Sequence, residues 1–503
     1  MDQMLRRVFN ARVAEVLPAP TPLDRAVTLS ERLGHPVFLK REDLTPVFSF
    51  KLRGSYNAMA ALGEAQRRAG VIAASAGNHA QGVAAGAARL GLRCRIVMPR
   101  TTPSIKVDAV RRLGATIDLI GDDYLDAAAY CVSVAHETGM TVVPPYDHLD
   151  VIAGQGTVGL EILRQAPRDL RAIFVPVGGG GLASGVAAVT KELRPEVRVI
   201  GVQPDDADAM TVSLREGRIV RRDHVGLFAD GVAVREPGEL TFALCRRYLD
   251  DCFTVGIDEI CAAIKDAFLD TRSVLEPSGA VALAGLKHAS RQGSPGAGSV
   301  VAVASGANMN FARLGYVAER AEVGEHREAI FAVTIPERPG TFLAFCRVVG
   351  DRSITEFNYR LASRSEAHIF VGIEVSGLEE ARAIARDLAA QGYPCVDLSE
   401  NDLAKTHVRH MVGGRTPEVH DEVRVAVEFP ERPGALMQFL ANLGARWNIS
   451  LFHYRNHGAA FGRVLCGLEV PPAERAELAS RLDAIGFEWA DESANPAGRF
   501  FLG

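Results

Sequence analysis

Several function classes find little support in this chain. Its eight cysteines are scattered through 503 residues with none at C-x-x-C spacing. Neither a disulfide framework nor a zinc site is indicated, and buried free thiols are expected. The longest apolar stretches are Ala-rich or broken by glycine and fall short of a bilayer span. The N-terminal Met-Asp-Gln-Met-Leu-Arg-Arg is followed by no apolar run of the kind a secretory signal or anchor needs. A cytoplasmic protein with no membrane partner is therefore expected. The formal charge of −5 is mild for this length and argues against a general nucleic-acid binder. What remains is a soluble globular chain, too long for one ordinary core, so two or three domains are expected.

From about residue 36 to 317, short apolar runs alternate with helical patterns. Pro36 to Leu39, Val71 to Ala74, Arg93 to Met98, Thr116 to Ile120, Ala172 to Val177, Val197 to Val202 and Ser299 to Ala304 read as buried strands. Helical stretches fall between them, at Ala80 to Leu90, Ser104 to Leu113, Tyr124 to Glu137 and Leu182 to Leu193. Continuous apolar strands separated by helices predict an α/β domain with parallel sheets. In such folds ligands bind at the strands' carboxyl ends.

After residue 320 the texture changes. Glu319 to Glu328 is charged and reads as a connector, and then a repeat appears. Pro336-Glu-Arg-Pro-Gly340 recurs as Pro430-Glu-Arg-Pro-Gly434, and Ile354-Thr-Glu-Phe-Asn-Tyr-Arg360 matches Ile449-Ser-Leu-Phe-His-Tyr-Arg455. Each copy reads strand (Ile330 to Ile335; Val423 to Phe429), helix (Phe342 to Val349; Leu436 to Leu443), two strands, then helix (Leu378 to Gln391; Ala473 to Ile485). That order fits the β-α-β-β-α-β ferredoxin-like plan, with Asn401 to Glu422 as linker. Turn and cap chemistry explains the Pro-Glu-Arg-Pro-Gly loops. Two such units behind an enzyme-like half suit ligand sensing and subunit contact.

Four segments carry chemistry. Ser49-Phe-Lys-Leu-Arg-Gly54 places Lys51 in a loop entering a helix. A lone lysine is ordinarily a solvated surface charge, and it becomes a nucleophile candidate only in company. Gly178 to Gly181, with Leu182, follow a predicted strand and open a helix; their N–H groups suit a phosphate dianion. The alternative is a flexible loop, and the spacing of the run is not that of a dinucleotide fingerprint. Ser75-Ala-Gly-Asn-His-Ala-Gln-Gly82 also joins a strand to a helix. Ser75, Gly77 and Asn78 suit a carboxylate at a helix start, and a plain helix cap explains them too. His79 invites a catalytic reading, although a histidine there more often packs. Ser305, in Ser305-Gly-Ala-Asn308, ends an apolar strand. Glu276-Pro-Ser-Gly-Ala280 reads either as a helper or as a turn with Ser278 capping the next helix. An amine, an amide, a phosphate cradle and a hydroxyl are what holding pyridoxal phosphate requires. A serine at the pyridine nitrogen, unlike an aspartate, would leave the ring a weaker electron sink, which suits elimination.

In this order the four motifs resemble the fold-type-II pyridoxal-phosphate enzymes, in particular the threonine/serine dehydratases, over about residues 5 to 320. The paired C-terminal units are similar to the tandem ACT-like regulatory region of the biosynthetic threonine dehydratases. The resemblance implies a two-lobed catalytic domain over 1–322 and ACT-like regulatory units over 327–400 and 422–494. It implies that Lys51 is the Schiff-base lysine and that Asn78 meets the cofactor's phenolic oxygen. Gly178, Gly179, Gly180, Gly181 and Leu182 would hold the phosphate, with Ser305 facing the ring nitrogen. Ser75 and its loop, with Gly77, Asn78 and His79, would bind the substrate carboxylate. The implied reaction turns L-threonine into 2-oxobutanoate and ammonia, with isoleucine as inhibitor, valine opposing it, and a homotetramer as the assembly. A serine dehydratase, racemase or threonine synthase of the same fold, or a non-catalytic amino-acid sensor, are the rival readings. No metal site can be placed from the sequence.

Overall fold

The computed structural model describes residues 3–293, 298–324, 327–336, 345, 348–349, 354–361, 366–410, 421–430, 446–447, 449–455 and 461–502. The chain divides into two compact units, Met1–Ala321 and Glu322–Gly503. Among the described residues the strands form four sheets, and no helix is long and apolar enough to cross a membrane.

In the first unit the strands are β1 (Leu23–Arg25), β2 (Val37–Arg41), β3 (Val71–Ala74), β4 (Cys94–Met98), β5 (Thr116–Leu119), β6 (Thr141–Val142), β7 (Leu170–Pro176), β8 (Arg198–Pro204), β9 (Asp251–Val255) and β10 (Ser299–Ala304). One sheet has the order β1-β2-β10-β7-β8-β9 and the other β5-β4-β3-β6. All pairings are parallel except β1 with β2. The parallel α/β expectation is met, and each expected strand lies within two residues of an observed one. The short strands β1, β6 and β9 carry no apolar run of their own and were not expected.

Helices α1 (Lys51–Ala60), α2 (Asn78–Leu90), α3 (Leu149–Gln165), α4 (Gly181–Leu193) and α5 (Pro277–Arg291) pack on the sheets and on one another. Their packing relies on close backbone approach. A Cβ at Gly54 would lie 2.7 Å from the Val151 carbonyl, and one at Gly154 would lie 2.6 Å from the Arg53 carbonyl. Gly154-Gln-Gly-Thr-Val-Gly159 has dinucleotide-fingerprint spacing, yet it lies inside α3 with no phosphate-binding turn. Its glycines serve helix contact.

Beside this seam lies a largely buried charge network. Arg53 is fully buried and donates to Glu42 at 2.7 and 2.8 Å and to Glu161 at 2.6 and 2.9 Å. Lys40, also buried, donates to Glu161 at 2.6 Å and to the Thr21 carbonyl at 2.7 Å. Two cations meet two carboxylates, so the cluster is neutral. Burial alone would lower the Arg53 pKa, but Glu42 and Glu161 hold it raised.

In the second unit, β11 (Glu328–Pro336), β12 (Ile354–Leu361), β13 (Glu366–Glu374) and β14 (Cys395–Asp397) form an antiparallel sheet of order β12-β13-β11-β14. Strands β15 (Glu422–Pro430), β16 (Ile449–Arg455), β17 (Phe461–Glu469) and β18 (Glu488–Asp491) repeat it as β16-β17-β15-β18. This is the ferredoxin-like order. Helices α6 (Leu378–Ala390) and α8 (Arg475–Ile485) occupy the positions expected for the second helix of each copy, separated by the short α7 (Asp402–Thr406). Of the first helices, Leu436 to Leu443 lies outside the described residues, as does Phe342 to Val349 apart from 345, 348 and 349.

Strand β11 splits its residues by period two. Ala329, Phe331, Val333 and Ile335 pack with Ile384 and Leu388 of α6. Ile330 and Ala332 face the other way, into a core shared with Leu403, Leu465 and Ala497. The expected linker is therefore partly structural: α7 and the C-terminal α9 (Pro496–Phe501) fill the space between the sheets. Asn401 and Asn495, offset like the two Pro-Glu-Arg-Pro-Gly loops, each cap a helix and touch each other at 3.3 Å. The repeats thus meet at equivalent residues.

Arg53→Met should leave Glu42 and Glu161 short of a cation and lower stability by about 3–5 kcal/mol. Thermal unfolding would read this as a fall in the midpoint of the first unit; an unchanged midpoint would contradict the role given to the network.

Candidate active site

Three neighbouring strands, β2, β10 and β7, deliver the site. The loop after β2 leads to Lys51, β10 ends at Ser305, and β7 ends at the four glycines. From the other sheet, β3 leads to Ser75–Asn78, and β6 leads to Val143, Pro145 and Tyr146. The carboxyl-end rule thus brings the four sequence motifs into one unit.

The Lys51 amine donates to the Pro145 carbonyl at 3.0 Å. Burial lowers its pKa to about 8, against a partial opposing effect of the Glu276 carboxylate. At pH 8 about half of this amine is neutral, compared with well under about 1% for an ordinary lysine of pKa 10.4. This suits a nucleophile and a base.

The loop before Lys51 is clasped to the loop after β10. Phe50 N donates to the Ser305 carbonyl at 3.2 Å, and Ala307 N donates to the Phe48 carbonyl at 2.9 Å. Phe48 adopts φ +55°, a strained setting for a bulky side chain. Thr45 holds the turn, its hydroxyl donating to the Ser49 carbonyl at 2.8 Å and accepting from Ser49 N at 2.9 Å.

At the glycine loop, Gly180 has φ +94° and begins α4 with no side-chain cap. A Cβ at Gly178 would meet Val232 at 2.9 Å, at Gly179 the Tyr146 ring at 2.4 Å, and at Gly180 Met210 at 2.7 Å. Only glycine fits, and the first N–H groups of α4 have no side-chain acceptor. Leu182 is buried in the core behind the loop. The sequence reading missed Tyr146, which lies on Gly179 and reaches the Glu236 carbonyl at 3.3 Å. Its only signal was an aromatic residue in a loop.

Ser75 accepts from Gly77 N at 3.2 Å, and α2 begins after Gly77 with no side-chain cap. Neither Ser75 nor Asn78 is therefore the cap of this helix. Asn78 instead donates its amide to Glu276 Oε1 and accepts from Asn308 at 2.6 Å. His79 is buried, with Nε2 donating to the Val143 carbonyl at 2.8 Å. Burial, with the Lys51 charge adding to it, depresses its pKa to about 3, so the ring is neutral. Ser305 is buried and donates to the Ser278 carbonyl at 3.3 Å. Ser278 is not a cap: Pro277 opens α5, and Ser278 Oγ accepts from Gly231 N at 2.7 Å. Glu276 is also buried. Burial raises its pKa to about 7, the Asp230 charge adds to this, and the bond from Asn78 opposes it. Asp230 is held low, near 2: burial would raise it, but Lys106 at 2.6 Å and the more distant Arg313 dominate.

An uncapped glycine cradle and a desolvated amine fit pyridoxal phosphate. Among the described residues no cluster of His, Cys, Asp and Glu could hold a metal ion.

Comparison with known proteins agrees with this geometry. Residues 15–306 match the pyridoxal-phosphate dependent enzyme family. Residues 319–408 and 413–502 each match the C-terminal regulatory domain of threonine dehydratase. The chain therefore belongs to the pyridoxal-phosphate-dependent enzymes of fold type II. Within that class it falls among the biosynthetic threonine dehydratases. It is 55% identical to the biosynthetic L-threonine dehydratase IlvA of Burkholderia multivorans over 99% of both chains. It is 51% identical to that of Escherichia coli, over 99% of this chain and 97% of the relative. The processed form of threonine deaminase isoform 2 from Solanum lycopersicum superposes with a TM-score of 0.62 at 46% identity, covering 64% of this chain and 88% of that one.

In the cofactor-free chain, a 13C-labelled methyl group placed on Lys51 should titrate near pH 8 by NMR. Because the Glu276 carboxylate raises that value, Glu276→Gln should move the midpoint lower still. A midpoint near 10 in the native chain would remove the desolvated amine.

Proposed function

We propose that the protein is a threonine ammonia-lyase: it deaminates L-threonine to 2-oxobutanoate and ammonia by β-elimination of water. The observation that carries this reading is the desolvated Lys51 amine set among the carboxyl ends of β2, β10 and β7, beside an uncapped glycine loop. Family membership supports it.

When bound, pyridoxal phosphate supplies an aldehyde that amines attack and a conjugated ring that accepts electron density. The chain's residues do the rest. Lys51 Nζ would hold the cofactor and, as a free amine, would take the substrate's Cα proton. The N–H groups of Gly178–Leu182 would bind the phosphate, aided by the start of α4. Asn78 would donate to the phenolic oxygen, and Ser305 would face the ring nitrogen. Ser75, Gly77, Asn78 and His79 would bind the substrate carboxylate; the His79 ring is already engaged and the Asn78 amide is otherwise assigned, so their backbone N–H groups are the parts meant. Loss of the β-hydroxyl as water and later uptake of one water conserve atoms between threonine and the two products.

The two ferredoxin-like units, taken as 327–400 and 422–494 behind a catalytic domain of 1–322, are assigned to feedback control. Isoleucine is the inhibitor and valine its opponent. Inhibition requires isoleucine to bind a less active conformation more tightly, since equal affinity shifts nothing. The enzyme is taken to be a cytoplasmic homotetramer, which light scattering would test.

The purified protein should release keto acid from L-threonine and be slowed by isoleucine. Lys51→Ala should lose both the cofactor absorbance and turnover; full activity in that variant removes Lys51 from the mechanism. A chain ending near residue 322 should keep turnover and lose isoleucine inhibition. Retained inhibition would place the effector site in the first unit.

A further inference from the structure

Asn308, the last residue of the Ser-Gly-Ala-Asn motif, has no role in the reading so far. Its amide nitrogen donates to the Val47 carbonyl at 2.8 Å and to Asn78 Oδ1 at 2.6 Å. A backbone carbonyl only accepts, so the first bond fixes which end of the Asn308 amide is the nitrogen. The second bond then fixes Asn78: its oxygen must face Asn308 and its nitrogen must face Glu276 Oε1. The chain of donors runs from Asn308 through Asn78 to Glu276, anchored at Val47. Both Asn308 Nδ2 hydrogens are used. One Asn78 Nδ2 hydrogen is left with no protein acceptor among the described residues.

Three loops meet at this point. Val47 precedes the lysine, Asn78 opens α2, and Asn308 follows β10. The Glu276 end is held as well: Glu276 N donates to the Gly306 carbonyl at 3.1 Å, and a Cβ at Gly306 would come within 2.3 Å of Glu276 Oε1. The Asn308 amide cannot turn without losing its bond to the Val47 carbonyl, and Gly306 packs closely against the Glu276 carboxylate.

We propose that Asn308 is a positioning residue that locks the Asn78 amide so that Asn78 offers the cofactor an N–H and never its carbonyl oxygen. An N–H stabilises an anionic phenolic oxygen, whereas a carbonyl oxygen would repel it. The inference rests on the proposed cofactor site and adds a residue that acts through Asn78.

The test compares Asn308→Ala and Asn308→Asp, alone and with Asn78→Ala, in the full-length holoenzyme. Asn308→Ala frees the Asn78 amide. Asn308→Asp favours its reversal, because a carboxylate accepts and cannot donate. Both variants should still bind cofactor through Lys51 but show a displaced or divided absorbance band, with the larger change in the aspartate variant. On the kinetic side, kcat should fall at least about tenfold, with KM changed less than about threefold. In the Asn78→Ala background the same Asn308 substitutions should change kcat by less than about threefold, since coupled residues are non-additive. Native-like absorbance and kcat in both variants would overturn the proposal, as would effects of undiminished size without Asn78. A native protein that carries no cofactor absorbance would instead overturn the functional reading itself, before any variant is compared.

Discussion

The buried pairing of Arg53 with Glu42 and Glu161 is the constraint on which the site depends. Arg53 and Lys51 lie two residues apart on α1, which turns the side chains about 200° around the helix axis. Arg53 therefore points into the protein where Lys51 points away from that contact. The charged cluster, together with the glycine seam between α1 and α3, fixes the helix from one side. The amine is presented on the other. A buried ion cluster contributes little net stability compared with an apolar core, but it tolerates few alternative arrangements. Here that intolerance is useful, because chemistry at Lys51 requires placement to a fraction of an ångström.

Electrostatics around the amine follow from the same burial. Lys51 and Glu276 are both shifted toward their neutral forms chiefly by loss of water. Asp230 stays ionised because Lys106 and Arg313 surround it. Its retained charge in turn pushes the Glu276 pKa upward. One carboxylate is thus kept charged and its neighbour poised near neutrality, and each state is set by the partners the fold supplies.

Most of this was legible in the sequence, and the parts that were not share a physical reason. The apolar strands were visible because both faces are covered, leaving continuous hydrophobic runs. Strands β1, β6 and β9 are short and partly exposed, so their residues carry no such pattern. Lys51, the glycine loop and Ser305 were recognisable because each sits in a motif that follows a strand. Arg53, Tyr146 and Asn308 were not assigned roles, because their meaning lies in partners distant along the chain: Glu161 for Arg53, Gly179 for Tyr146, Asn78 for Asn308. The same limit explains the linker. Leu403 and Ala404 look like an ordinary short helix until Leu465 and Ala497 from the second repeat close over them.

That shared core bears on regulation. Two ferredoxin-like units joined only by a flexible linker would bind effectors independently. These two instead place Ile330 and Ala332 of one sheet and Leu465 of the other in a single apolar cluster, with Asn401 against Asn495 at the point of near symmetry. Close-packed interfaces of this kind shift between discrete arrangements more readily than they deform by degrees. A rearrangement of this core in either repeat would therefore reach the other. The duplicated sequence thus forms one regulatory body with two similar halves packed on the same core.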